Sequence, residues 1–494
     1  MKKILIIITI IFAAITVSCN SDKSMSNNSP VKKNEDEVNQ AEQSTDVTVD
    51  EASPELPEID FNGEKINFFV RGGEGNEWDA IDIYAESETG ESVNDAIYRR
   101  NRQIESKFNT LIAEASVAVG DGYNALNKLV KAGDTSYHAV IANAQQSFSM
   151  TSNSLLLDLH EVPYINLGNS WWDTALNKDM SLLNKQYYAA SATNLMAYDA
   201  TWIAMFSKKV LTDRGYDPAN IYNMVREGKW TLEKYRELTK DFISDLDGDE
   251  KMTDKDRYGT AGQGTMSEGF YICGGLRFIE KDEDDKPVFK GLDERGANIL
   301  ELVSEICNNK TAFQSHNTTM NKSGYEEYGR TLLVEGRTLF FTEAMICVRV
   351  LRDMTDDFGV VPMPKYDEAQ EKYTSLVHEW AVSLTSVPVT CPNTEMAGII
   401  LEEMAYQSQK TVLPVYFDIA INGKYLRDDD SIEMIDYIMN NRVMDLCVVN
   451  SYGSLNSNIS DAVYKGGGNF VSIYEKAENN VIKQLEKLME NILK

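Results

Sequence analysis

The sequence predicts two α/β lobes joined by chain crossings, and three observations carry that expectation. Residues 336–364, GRTLFFTEAMICVRVLRDMTDDFGVVPMP, read as an apolar strand over 338–341, a helical segment with Met345, Val348 and Leu351 on one side, and a second apolar strand over 358–361. Pro362 and Pro364 then force the chain out of that sheet. Residues 65–142 alternate strand and helix, the pattern of a parallel sheet. With 43% hydrophobic residues in 494, the chain has apolar material for two cores.

The first residues are of another kind. Lys2 and Lys3 precede an apolar run, 4–14, and small residues before Cys19, which is a secretory signal over 1–18, too short to span a bilayer. A Cys in that place is the one diacylated in bacterial lipoproteins; Val17 and Ser18 fit the pattern, and Thr16 stands where Leu is usual. Lipidation at Cys19 would hold the protein on the extracytoplasmic face of the cell membrane. Residues 19–56 are rich in Ser, Asn, Asp, Glu and Lys without an aromatic residue, and are expected to be a disordered tether.

Composition narrows the function. A formal charge of −29, from 48 basic and 77 acidic residues, argues against nucleic acid and anionic membrane surfaces as partners. Beyond Cys19 stand Cys273, Cys307, Cys347, Cys391 and Cys447. Their odd number and the lack of any CxxC point to buried free thiols, with one long-range disulfide left open and no zinc site. The sequence contains no Gly-x-Ser-x-Gly, P-loop or dinucleotide glycine turn, and HEWAV at 378–382 lacks the second His of a zinc protease. No organic cofactor is expected.

Taken in order, KINFFV at 65–70 is the first strand, followed by a helix with Ala96, Ile97, Ile104 and Phe108 near helical spacing behind Ser92 or Asn94 as N-cap. Strands at 111–118 and 137–142 flank a second helix, 122–132. Open parallel sheets bind ligands beyond the carboxyl ends of their strands. That rule selects Arg71 and Trp78 after the first strand and Asn143 and Gln145 after the third, each of which is otherwise a solvated loop residue. A strand-like run follows at 186–192. Thr231 caps a helix carrying Leu232, Tyr235, Leu238 and Phe242.

The next loop is DLDGDEKMTDKD. Asp245, Asp247 and Asp249 occupy positions 1, 3 and 5 of an EF-hand-type loop, the Lys251 carbonyl position 7, Thr253 position 9 and Asp256 position 12. Carboxylates on alternate residues of a tight loop can converge on a structural Ca2+ whose charge cancels their repulsion. Glu250 replaces the usual Gly, and Asp256 the usual bidentate Glu; an acidic solvated turn is the alternative. Glu268 beside Phe270 and Tyr271 offers a hydroxyl acceptor next to a stacking face, or simply core aromatics. Residues 280–287 form an acidic surface hairpin, and 293–315 and 323–333 read as helices. His378, Glu379 and Trp380 precede a strand at 382–387, with Trp380 either an aromatic platform or a core residue. The tail is amphipathic helix expected to close over the second lobe.

Two patterns now gain meaning: G-x-x-L-F … D-F-G-V-x-P-x-P over 336–364, and strand, Arg, loop, G-E-x-x-N-D-A-x-x-x-R-N, helix over 65–101. Both resemble the extracellular solute-binding proteins of ABC importers, in particular the family that captures sugars and oligosaccharides. The resemblance spans nearly everything from Ile59 onward, loosely in the middle. It implies a type II periplasmic-binding-protein-like fold with a hinge and an interlobe cleft. Lobe I would comprise 57–195 and 365–425, and lobe II 196–364 and 426–494. It further implies a monomer that traps a carbohydrate by lobe closure and delivers it to permease subunits. In that family an acidic group near Asp199 often accepts sugar hydroxyls, and Thr342 and Glu343 lie where ligand contacts are common. Phe206, Ser207 and Lys208 replace the family's Tyr-Asn-Lys, so the local turn is expected to differ. An extracellular glycan-degrading enzyme and a binding protein for a non-sugar solute such as a peptide remain the alternatives.

Overall fold

The computed structural model describes residues 53–73, 78–118, 121–308, 310–314, 325–351, 354–418 and 428–493. The signal, Cys19 and the expected tether as far as residue 52 lie outside the described residues, while Leu56, at the tether's end, packs against the core of the first sheet.

Thirteen strands are formed among them: β1 (Lys65–Arg71), β2 (Leu111–Val117), β3 (Ala139–Ala142), β4 (Trp202–Ser207), β5 (Tyr258–Gly262), β6 (Ile279–Lys281), β7 (Pro287–Phe289), β8 (Ala312–Gln314), β9 (Thr338–Ala344), β10 (Phe358–Pro362), β11 (Ser375–Leu376), β12 (Leu384–Ser386) and β13 (Arg442–Val443). The first sheet has the order β12-β3-β1-β2, with β1 parallel to β2 and β3 and β12 antiparallel to β3. The second has the order β10-β4-β9-β5-β8. There β5 runs parallel to β8 and β9, while β4 is antiparallel to both β9 and β10. The strand–helix–strand unit at 336–364 is therefore present, but β4 is inserted between its two strands.

Apolar residues on both faces of β1 explain why it is central. Ile66, Phe68 and Val70 join one core with Phe108, Ile399 and Met404, while Phe69 faces the other. Trp230 is fully buried, and its indole N–H donates to the Pro362 carbonyl at 2.9 Å. All five described cysteines are free thiols, four of them buried.

Two expectations need correction, and two that hold gain contacts. Residues 186–192 form isolated bridges, not a strand, because side chains take over the backbone bonding: Asn177 accepts from Ala190 N at 2.7 Å, and Asn194 from Ser191 N at 2.9 Å. The helix expected over 293–315 is Glu294–Cys307, stopped where the Thr311 hydroxyl satisfies the carbonyls of Glu305 and Ile306, and β8 follows. The 280–287 segment is the expected hairpin. Lys281 and Asp285 bind the Ser181 carbonyl and hydroxyl, tying the second sheet's lobe to the first. The final helix, Phe470–Ile492, also reaches across, since the Asn491 side chain donates to Ser152 O at 3.2 Å.

Where the lobes meet, short segments run side by side. β11 pairs with β13, Val377 N donates to Val443 O at 2.9 Å, and His378 N to Ala200 O at 2.9 Å. The carboxyl ends of both sheets open onto this junction.

Candidate functional site between the lobes

Arg71 ends β1 and is only 1% exposed. Its guanidinium donates to the carbonyls of Trp380 (2.5 Å), Ala381 (3.3 Å), Val382 (3.4 Å) and Trp78 (3.0 Å). One cation thus holds two loops that have no regular structure of their own. It also lies 5.3 Å from the centre of the Trp380 ring, against which Trp78 packs edge-on at 6.1 Å. Trp78 is buried; Trp380 keeps 40% of its surface exposed, giving the junction a rigid aromatic face.

Asn143 serves the same loop. It caps the helix Ala144–Ser152 by accepting from Gln146 N at 2.8 Å, and it donates to Trp380 O at 3.0 Å. Gln145, in the first turn, donates to Glu379 Oε1 at 3.3 Å.

The other lobe supplies the opposite wall. Glu343, near the end of β9, is buried, and its Oε1 accepts from Gln263 Nε2 at 2.6 Å and Ala344 N at 2.8 Å. Thr265, just before the helix Met266–Cys273, places its hydroxyl 3.5 Å from His378 Nε2, so the two lobes touch here. His378 stacks on Trp202 with ring centres 6.0 Å apart. Trp380 N donates to His378 Nδ1 at 3.2 Å, and Glu379 Oε2 lies 3.4 Å from the same nitrogen. Glu268 is 6% exposed and accepts from Asn456 Nδ2 at 3.4 Å. Burial, and after it the charge of Glu379, push its carboxyl well above the usual range, with the Asn456 hydrogen bond opposing them.

Asp199 bridges the lobes in a different way. Its Oδ1 accepts from the Tyr416 hydroxyl at 2.8 Å, and its Oδ2 lies 3.3 Å from Arg349 Nη2. Burial and then Asp199 raise the Tyr416 pKa, so the phenol remains a donor. Thr342 and Tyr271 stand further back. Thr342 is buried with its hydroxyl toward Met266 Sδ, and the Tyr271 hydroxyl meets Ser460 at 3.3 Å inside the lobe.

The structure therefore gathers Trp78, Trp380, Asn143, Gln145, His378, Glu268 and Glu343 around one junction, with Arg71 as their support. Sequence reasoning missed Gln263, Thr265, Arg349, Tyr416 and Asn456. Gln263 and Thr265 were findable, because they follow the carboxyl end of β5 as Asn143 follows that of β3. Arg349, Tyr416 and Asn456 sit on helices without a motif. Together the wall groups offer hydrogen-bond acceptors and amide donors beside one aromatic face, the chemistry that holds a polyhydroxylated ligand.

The acidic loop lies elsewhere. Carboxylate oxygens of Asp245, Asp247 and Asp249 come within 4.8 Å of one another on the surface. Asp245 accepts from Gly248 N and Glu250 N at 2.7 and 2.8 Å, and Glu250 adopts the left-handed turn with φ of +63°. Lys251 N donates to Asp249 at 2.8 Å. Asp256 does not join the three. Its oxygens accept from Leu246 N at 2.8 Å and Thr253 N at 2.7 Å, and these bonds outweigh burial to hold its pKa below the ordinary value. Three converged carboxylates on a preformed turn fit a hard cation; Asp256 fits as the brace of that turn.

No protein-family model matches the chain, and no curated protein matches it in sequence. Solved structures do. An ABC substrate-binding protein from Listeria monocytogenes in complex with cycloalternan is 12% identical, with 86% of this chain and 99% of that one covered and a TM-score of 0.54. The maltose/maltodextrin-binding domain from Bdellovibrio bacteriovorus bound to maltotriose is 13% identical over 85% and 100%, with a TM-score of 0.52. An ABC transporter solute-binding protein from Thermotoga lettingae bound to α-D-tagatose is 14% identical over 86% and 100%, with a TM-score of 0.53. At such identities the likeness is one of fold, and the chain has the two-lobed fold of these binding proteins.

Proposed function

We propose that this protein is an extracytoplasmic solute-binding protein, anchored through Cys19, that captures a saccharide between its lobes and delivers it to the permease of an ABC importer. The observation that carries the reading is the exposed face of Trp380, held by Arg71 and Asn143 among acceptors from both lobes at the carboxyl ends of both sheets. A fold shared with saccharide-binding proteins supports it. Binding would proceed by hinge movement about the junction of β11, β13 and residues 199–201, with ligand groups bridging the two walls. We further propose that the Asp245, Asp247 and Asp249 cluster holds a structural Ca2+, remote from the cleft.

A thermal-shift screen of the full chain against mono- and oligosaccharides tests both. A ligand that binds only the folded state raises the midpoint by mass action. The expected result is a rise with at least one saccharide series, the sugar recovered intact, and a fall in midpoint on chelation that Ca2+ reverses. No shift across a broad panel overturns the saccharide assignment; recovery of cleaved sugar replaces it with an enzyme; a midpoint indifferent to chelator removes the Ca2+.

A further inference from the structure

The lobes are joined a second time, outside the cleft. The helix Thr174–Met180 of the first lobe runs into a turn, 181–185, that meets the hairpin of β6 and β7 from the second. Each side is anchored in its own lobe. Gln186 N donates to Asp158 Oδ1 at 3.1 Å, and Ala189 N to the carbonyl of Thr385 in β12 at 2.9 Å. On the other side Phe278 N donates to Asp445 Oδ2 at 2.9 Å, and Phe289 stacks on Tyr474 with ring centres 6.1 Å apart.

The contact is one of charges and backbone. The Lys281 ammonium donates to the carbonyls of Lys178 and Ser181 and to the Ser181 hydroxyl, one acceptor for each of its N–H groups. Lys178 lies in the last turn of its helix, where carbonyls lack intrahelical donors. Asp285 Oδ1 sits 3.1 Å from that ammonium and 2.9 Å from the Ser181 hydroxyl. Its Oδ2 accepts from Asn184 N, and its carbonyl from Leu183 N, both at 3.0 Å. The side chains of Lys281 and Asp285 are only 16% and 14% exposed, so solvent screens them less than a surface pair.

The turn is not one that its sequence prefers. Leu182 and Lys185 exchange backbone hydrogen bonds across Leu183 and Asn184, whose φ values are +54° and +60°. Such a turn suits Asn-Gly, and Leu183 in its first place carries a steric cost. The N–H groups of this strained pair are the two that Asp285 accepts, so the second lobe holds the turn in shape. The hold is releasable, because water can satisfy an ammonium, a carboxylate and backbone amides once they part.

We infer that the 181–185 turn and the Lys281–Asp285 hairpin form a latch between the lobes, made when they close and broken when they open. It rests on the hinge movement proposed above and not on the identity of the ligand. Strain at Leu183 opposes the hydrogen bonds and lowers the cost of opening. The ligand then draws on a closed form that the chain populates by itself.

Hydrogen exchange of the ligand-free full chain, read by mass spectrometry, tests the latch. Asp285→Ala and Lys281→Met are compared with the unaltered chain at the turn, at the cleft walls (263–268 and 378–380) and at the central strands β1 and β9. The expected result is exchange at least about tenfold faster at the turn and about threefold faster at both walls, with β1 and β9 unchanged. Acceleration confined to the turn overturns the latch and makes the contact a local brace; no acceleration at the turn overturns it outright. Should β1 and β9 accelerate too, Ser181→Ala decides, since it leaves both bonds from the Leu183 and Asn184 amides to Asp285 in place: faster walls support the latch and unchanged walls overturn it. No sugar is present, so a failed latch leaves saccharide capture standing, and a failed saccharide screen leaves the latch standing.

Discussion

Glu402 and Glu268 are buried to a similar degree and treated in opposite ways. Glu402, 1% exposed on the helix Thr394–Gln407, accepts from Trp171 Nε1 and Trp172 Nε1 at 2.8 Å each, Asn169 Nδ2 at 2.7 Å and Asn166 N at 3.2 Å. Both of its oxygens are satisfied from one loop, which the carboxylate pins to the lobe. Glu268 has a single long hydrogen bond and an acidic neighbour. The contrast separates two uses of a buried carboxylate: one with all its donors inside the chain builds the fold, and one left short of donors is set up for a ligand.

Glu402→Ala is expected to have the largest effect on stability. Two indole N–H groups, the Asn169 amide and the Asn166 backbone N–H lose their acceptor inside the lobe, so unfolding in urea should show a loss of about 3–5 kcal/mol. A loss within about 1 kcal/mol would mean that water replaces the carboxylate, and the contrast would weaken.

Asp82 stands between the two extremes. It is fully buried, with Oδ2 bound by the Ser383 hydroxyl and Oδ1 bare among the described residues. Burial pushes its carboxyl from 3.8 to about 7, helped by Asp199 and opposed by the Ser383 hydrogen bond. Buried Arg100, which donates to the Asp82 carbonyl at 3.0 Å, is lowered to about 10 by the same desolvation. Above pH 3.8 the unfolded chain has released the proton that folded Asp82 keeps until about pH 7. Stability should therefore fall across that interval and level off beyond it. Asp82→Asn should flatten the decline and gain about 2–4 kcal/mol at pH 8; an unchanged pH profile would assign the decline to other groups.

Glu268→Gln gives the smallest of the three effects and the opposite sign to Glu402→Ala. Burial raises the pKa of this carboxyl, so removing it should increase the stability of the ligand-free chain at pH 8, read as a higher urea midpoint. A lower midpoint would place Glu268 with Glu402 as a structural group.

The sequence made the scaffold legible where local chemistry decides the outcome. The alternation of strand and helix at 65–142 became β1, β2 and β3, and Pro362 and Pro364, the last residue of β10 and the second one beyond it, mark the end of that strand. It also exposed the three aspartates of the acidic loop, because a contiguous turn places them. The 186–192 run misled for a physical reason, since Asn177 and Asn194 bond its backbone and no local pattern announces that. The cleft was half legible. Asn143 follows β3, Glu343 is the last but one residue of β9 and Trp380 lies between β11 and β12, so the rule about strand ends finds them. Asn456 and Tyr416 reach the junction from helices 188 and 217 residues distant from Glu268 and Asp199, and only the packing of the lobes brings them there.

The most direct measurement is a crystal structure of the chain with a saccharide that raises its midpoint. Density for a sugar ring over Trp380, with polar groups reaching Glu268 on the opposite wall, is the expected result. A sugar bound elsewhere on the surface, with the junction between the two sheets unfilled, would contradict capture between the lobes.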